Sequence, residues 1–191
     1  MRVFSAAVMA LMFAAPAHAQ RDAVSPDLSP ETAAGVFRSA VMDVCVPAVT
    51  RNGVSALPAA QQGKLRPTQD AETRKQAGAG PDETVWDVVG GKGVVTLREK
   101  AGRCVVSVYG PPAGATVAAV VGAASDAGFR TEGYRFWQPE QPENIAANMT
   151  RAGSDSPDGK GVAIRAEGAN PGAPGHQSRF SVVTATVTRA Q

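Results

Sequence analysis

Apolar residues follow two different periods along this chain. Val36, Phe37, Ala40, Val41, Val44 and Cys45 recur at spacings of three and four, the stripe of an amphipathic helix. Ser29-Pro30-Glu31 supplies its start, with Ser29 as N-cap, proline in the first turn and an acid facing the dipole. Pro47 is expected to end it, because the residue before proline is pushed out of the α region. A second helix is expected over Val117 to Ala127, with Thr116 as cap and Gly128 at C′ before Phe129. Gly122 within it lowers propensity, which is tolerable if another backbone packs closely there.

From Thr84 the period falls to two. Thr84–Val89 and Val94–Glu99 flank Gly90-Gly91-Lys92-Gly93, a glycine turn, and Arg103–Tyr109 follows with Cys104, Val106 and Val108 on one face. Together they predict an antiparallel meander. Phe129–Trp137 alternates weakly, Asn144–Arg151 is ambiguous, and Val162–Ala166 and Phe180–Thr188 are rich in β-branched residues. Between helix and meander, residues 51–83 read as a surface excursion with some helix over Val54–Gln62 and Thr68–Gln76. Residues 167–178 read as a flexible loop. No repeat at a fixed period is visible. The expected fold is α+β, an antiparallel sheet of five or six strands with two helices on one face.

The first nineteen residues stand apart. Arg2 precedes an apolar run from Val3 to Ala15, Pro16 interrupts it, and Ala17-His18-Ala19 places small residues at a cleavage site before Gln20. This is the pattern of a secretory signal peptide, too short to span a bilayer comfortably. The organisation expected is therefore a signal over 1–19, a flexible entry over 20–30 and one α+β domain over 31–191. Cleavage after Ala19 places the mature protein in the periplasm or outside the cell, with no remaining membrane span.

Charge adds little. The chain has 19 Lys+Arg and 17 Asp+Glu; the leader removes Arg2 alone, which leaves a mature formal charge of +1. Such a balance lacks the clustered basic face that nucleic acid requires. The only cysteines are Cys45 and Cys104. In an oxidising compartment an isolated pair forms one disulfide, and the two periods independently place both residues on core-facing stripes. A redox pair would favour Cys-x-x-Cys, and a zinc site needs more ligands than the chain offers, so neither metal nor cofactor is expected.

Candidate chemistry is sparse. His176 is the only histidine after the leader and lies in a Gly/Pro-rich loop; a serine or cysteine triad would have to use it, whereas a lone histidine in such a loop reads as a solvated surface residue. Gly90 to Gly93 lacks the P-loop spacing, and Asp155 to Gly159 lacks the calcium-loop pattern. Glu132, Glu140 and Glu143 near Tyr134, Phe136 and Trp137 are the one carboxylate set that a cell-wall glycosidase would use. A strand lending aromatic bulk to the core explains the same cluster. The helix ending Val44-Cys45, Trp86, and Cys104-Val105-Val106 leading to Gly110-Pro111-Pro112 resemble a group of small secreted alphaproteobacterial proteins with one helix–strand disulfide. The resemblance spans residues 31–137, implies a periplasmic location and the disulfide, and brings no activity.

The reading that remains is a non-enzymatic module that binds an envelope protein or cell-wall component, with Trp137, Pro111 and Pro112 as its candidate surface. Its rivals are a carboxylate hydrolase acting on cell-wall glycan and an inhibitor that inserts a projecting Pro111-Pro112 loop into a lytic enzyme.

Overall fold

The computed structural model describes residues 28–100, 102–135, 145–153, 160–171 and 180–190. The helix expected to stop at Pro47 runs instead from Pro30 to Thr50 (α1). Ser29 caps it as expected, its hydroxyl accepting from the Thr32 amide. Proline cannot donate to the carbonyl four residues back. The chain absorbs that loss by widening into a π-helical turn over Ala40–Cys45, where the Val46 N–H reaches the carbonyl of Val41. Burial of Val44 and Cys45 at the end of the widened turn, and of Val46, Ala48 and Val49 beyond it, outweighs the local rule. By length and composition α1 would also cross a membrane, but half of its apolar window is buried inside the fold, as befits a core helix.

Three short helical pieces follow: a 3-10 turn at Val54–Ala56, then α2 (Ala59–Gln62) and α3 (Ala71–Gln76). The last α-helix among the described residues is α4 (Ala113–Asp126). It begins before the expected Thr116, with Pro112 at the N-cap, and the Thr116 hydroxyl instead donates back to the Pro112 carbonyl from within the first turn. Gly128 is the residue after the C-cap, with φ of +81°, and Phe129 beyond it is buried.

The sheet has eight strands rather than five or six, and four α-helices rather than two lie among the described residues. In chain order the strands are β1 (Leu65–Pro67), β2 (Thr84–Val88), β3 (Val95–Lys100), β4 (Arg103–Tyr109), β5 (Arg130–Arg135), β6 (Ile145–Arg151), β7 (Val162–Ala169) and β8 (Val182–Arg189). The strand missed entirely is β1. It has three residues with one apolar position, and only its pairing with β2 defines it. The ambiguous Asn144–Arg151 segment proves to be β6, which alternates buried and open positions.

Sheet order is β1-β2-β3-β4-β8-β7-β6-β5, every pair antiparallel. The chain therefore traces one topology twice: a long helix, then a four-stranded meander. The closing strands of the two meanders, β4 and β8, pair along the centre. This pseudo-twofold arrangement carries no residue-level repeat. Helix α1 packs on β3 and β4, α4 packs on β6 and β7, and the two helices touch each other on the same face.

The core lies between these helices and the sheet. Val95, Leu97, Cys104, Val106 and Val108 face it from one meander, and Ala147, Met149, Ile164, Ala166, Val183, Ala185 and Val187 from the other. It is built mostly from valine and alanine. Close approach is part of its construction: a Cβ on Gly168 would lie 2.9 Å from the Ala113 Cβ, so a bare backbone there seats the start of α4. Gly122 is different. Nothing lies within 4 Å of a Cβ built there, so no close backbone accounts for the glycine. Since Gly122 is exposed within a regular helix, Gly122→Ala should raise stability by about 1 kcal/mol, measured by urea denaturation.

Candidate functional site

The covalent staple is where the two periods put it. Cys45, at the end of the π turn of α1, is bonded to Cys104 in β4 with the Cα atoms 5.4 Å apart, and both residues are completely buried. Such a bond is compatible with export. Its burial makes it a structural element without access for chemistry.

Pro111 and Pro112 separate. Pro111 is buried, and its carbonyl accepts from the Ser181 hydroxyl, while the Gly110 N–H donates to the Ser181 carbonyl at 2.9 Å. The Ala113 N–H donates to Asn170 Oδ1 at 3.2 Å. The loop is thus tied to the β8 approach rather than projecting as a proline pair, and only Pro112 is exposed. Trp137, Phe136, Glu140, Glu143 and His176 lie outside the described residues. Glu132 is exposed at the β5 edge and accepts from the Thr150 hydroxyl. Among the described residues no group of three or more His, Cys, Asp or Glu is placed to hold a metal.

Pro112 instead opens a furrow between α1 and α4 on the outer surface. Its first stretch, about 380 Å³, is lined by Pro30, Ala34, Gly35, Pro112, Ala115 and Ala119, with Glu31 and Arg38 among its walls. A second stretch of about 490 Å³ continues past Arg38 to Met42, Ala123 and Ala127, beside Asp43 and Asp126. Small side chains on both helices keep the channel open, and both signs of charge line it. The Glu31 carboxyl is held below its usual range by its own backbone N–H and by the Ser29 hydroxyl, so this wall stays ionised. The double proline marked one end of the furrow in the sequence. Its floor was unmarked, because alanine and glycine carry no chemical signature and the two helices are far apart in the chain.

A second recess, about 410 Å³, lies between α1 and the β2 end, lined by Val36, Ala40, Val44, Ala60, Val88 and Val89. Lys64 stands at it, paired with Asp43 at 3.4 Å.

Comparison with protein-family models, curated proteins and solved structures gave no match to this chain.

Proposed function

We propose that the protein is exported, cleaved after Ala19, and acts in the periplasm or outside the cell as a non-enzymatic module that binds an envelope protein or cell-wall component. The furrow between α1 and α4 supports this reading. It is long, shallow and floored by small residues, with an exposed proline at one end and charges of both signs along its sides. A surface of this form accepts an extended polymer segment through shape and peripheral polar contacts. It offers no enclosed, desolvated pocket in which a reacting bond would be held.

The test is capture from envelope extract by purified mature protein, compared with an Ala119→Arg, Ala123→Arg variant. Both alanines are only partly buried, so filling the furrow should change stability by about 0.5 kcal/mol or less. A specific partner held by the wild type should be lost by the variant. Equal capture by both proteins would remove the furrow from consideration.

A further inference from the structure

The second face of the sheet, turned away from α1 and α4, is covered unevenly. Between β1 and β2 the chain leaves the sheet edge, runs through α3 and returns, and this segment, residues 68–83, lies over β2, β3 and β4. Its contacts establish the placement. Arg98 on β3 donates from Nη1 to the Gly78 carbonyl at 2.6 Å and to Glu83 Oε2 at 3.1 Å. The Tyr109 hydroxyl on β4 donates to the Gln76 carbonyl at 2.9 Å, and Lys100 pairs with Asp82 at 3.5 Å. Within the segment, Arg74 donates to the Gly80 carbonyl at 3.1 Å, and the Gly80 N–H donates to Glu83 at 2.9 Å.

The attachment is almost wholly polar. No residue of α3 is buried, and Ala77 is the segment's one buried apolar side chain. Ala77 does not belong to the principal core. Under the segment, Val85 and Val105 are fully buried although they point away from the helices, and neither joins the principal core. The cover is therefore separable from the rest of the fold.

We propose that residues 68–83 are a detachable strap, keyed by Arg98, whose opening uncovers Val85 and Val105 while the remainder of the domain stays folded. This is a conformational device on the face opposite the furrow and does not depend on the furrow reading. Opening breaks a few hydrogen bonds and ion pairs, each modest in net worth, whereas global unfolding must expose the whole apolar core. The uncovered valines border Thr96 and Ser107, and Ser107 lies in hydrogen-bonding reach of Thr184 on β8 at 3.3 Å. Release thus extends the open face across the centre of the sheet.

The ionic environment agrees. Burial pushes the Glu83 carboxyl up, but the Gly80 N–H and Arg98, with Arg103 further off, outweigh it and hold the group below its ordinary value. The charged groups around it are Arg98 and Lys100 on β3, Arg103 on β4, and Arg74 and Asp82 within the strap. Burial pushes the Tyr109 phenol up, against the opposing pull of Arg98, so the phenol keeps its proton and its bond to Gln76 at neutral pH. A depressed carboxylate stabilises the closed strap above its unfolded pKa of about 4.3, and that contribution disappears as pH falls through the lower folded value.

Native-state hydrogen exchange and limited trypsin digestion of the mature protein test the strap directly. In the wild type the Thr73, Ala77, Gly78 and Ala79 amides should open with a lower free energy and a smaller denaturant dependence than amides of β4 and β8. In Arg98→Ala, cleavage after Arg74 or Lys75 should accelerate about tenfold or more while β4 and β8 keep their protection. Glu83→Gln should shift in the same direction at neutral pH and should remove the acid-dependent part of the opening. The proposal falls if wild-type strap amides exchange only with β4 and β8, a measurement that stands even if Arg98→Ala does not fold. It falls equally if Arg98→Ala folds and the strap is cleaved no faster.

Discussion

Replacing Cys45 and Cys104 together by alanine is expected to cost about 4 kcal/mol of stability. The bond joins residues 59 positions apart, and closing a loop of that length in the unfolded chain is what the staple contributes in the chain-entropy description. Two further features push the same way. Both residues are fully buried, so each substitution leaves a small void. The bond also links the π turn of α1 to β4, one of the two central strands, so it fixes the helix to the middle of the sheet. For a domain of this size the loss corresponds to a fall in Tm of roughly 10 °C. Urea denaturation of the wild type and the double variant measures it. A loss below about 1 kcal/mol would mean that packing alone seats α1 on the sheet. Alanine is the better probe than serine, because a serine hydroxyl buried without a partner adds its own penalty.

The staple was legible because two local periods, one of a helix and one of a strand, each pointed a cysteine inward without reference to the other. The strands β2, β3 and β4 were legible for a similar reason, since alternation and glycine turns are local. Pro47 does not end the helix because the backbone rule is only part of its effect. A single π turn costs less than exposing the apolar run from Val44 to Val49. β1 and the duplicated helix-plus-meander topology were invisible, since both are defined by pairing between distant segments. The strap shows the limit best. Residues 68–83 lack an apolar face and so read as a free surface excursion, yet Arg98 and Tyr109 hold them in place through bonds to main-chain carbonyls. Backbone acceptors exist at every residue, and no sequence pattern announces which of them will be used. The candidate surface divides the same way: Pro112 could be picked out, whereas Ala34, Ala119 and Ala123 could not.

Phe37→Ala is the second substitution with a large expected effect, about 4 kcal/mol. Phe37 is the bulkiest of the fully buried side chains among the described residues, on a helix that packs against α4 as well as β3 and β4. Its stripe neighbours Ala33, Ala40 and Val41 are small, as is most of the core. Short, branched side chains in fixed rotamers reach poorly into a vacated ring-sized space, so the cavity should persist and the cost should fall at the upper end of its class. Phe37→Leu retains much of the volume and should cost roughly 1.5 kcal/mol or less. That contrast separates loss of packing from loss of the aromatic ring itself. The denaturant dependence should stay constant through the series, since neither change alters the surface exposed on unfolding. Combining Phe37→Ala with the cysteine-free background is the stringent case. Natural domains have about 5–15 kcal/mol of stability in total, and the two losses together approach or exceed its lower half. The triple variant should therefore be largely unfolded at room temperature, with near-ultraviolet dichroism lost. If it keeps a cooperative transition, the helix–sheet contact around Phe37 and the disulfide carry less of this fold than their burial indicates.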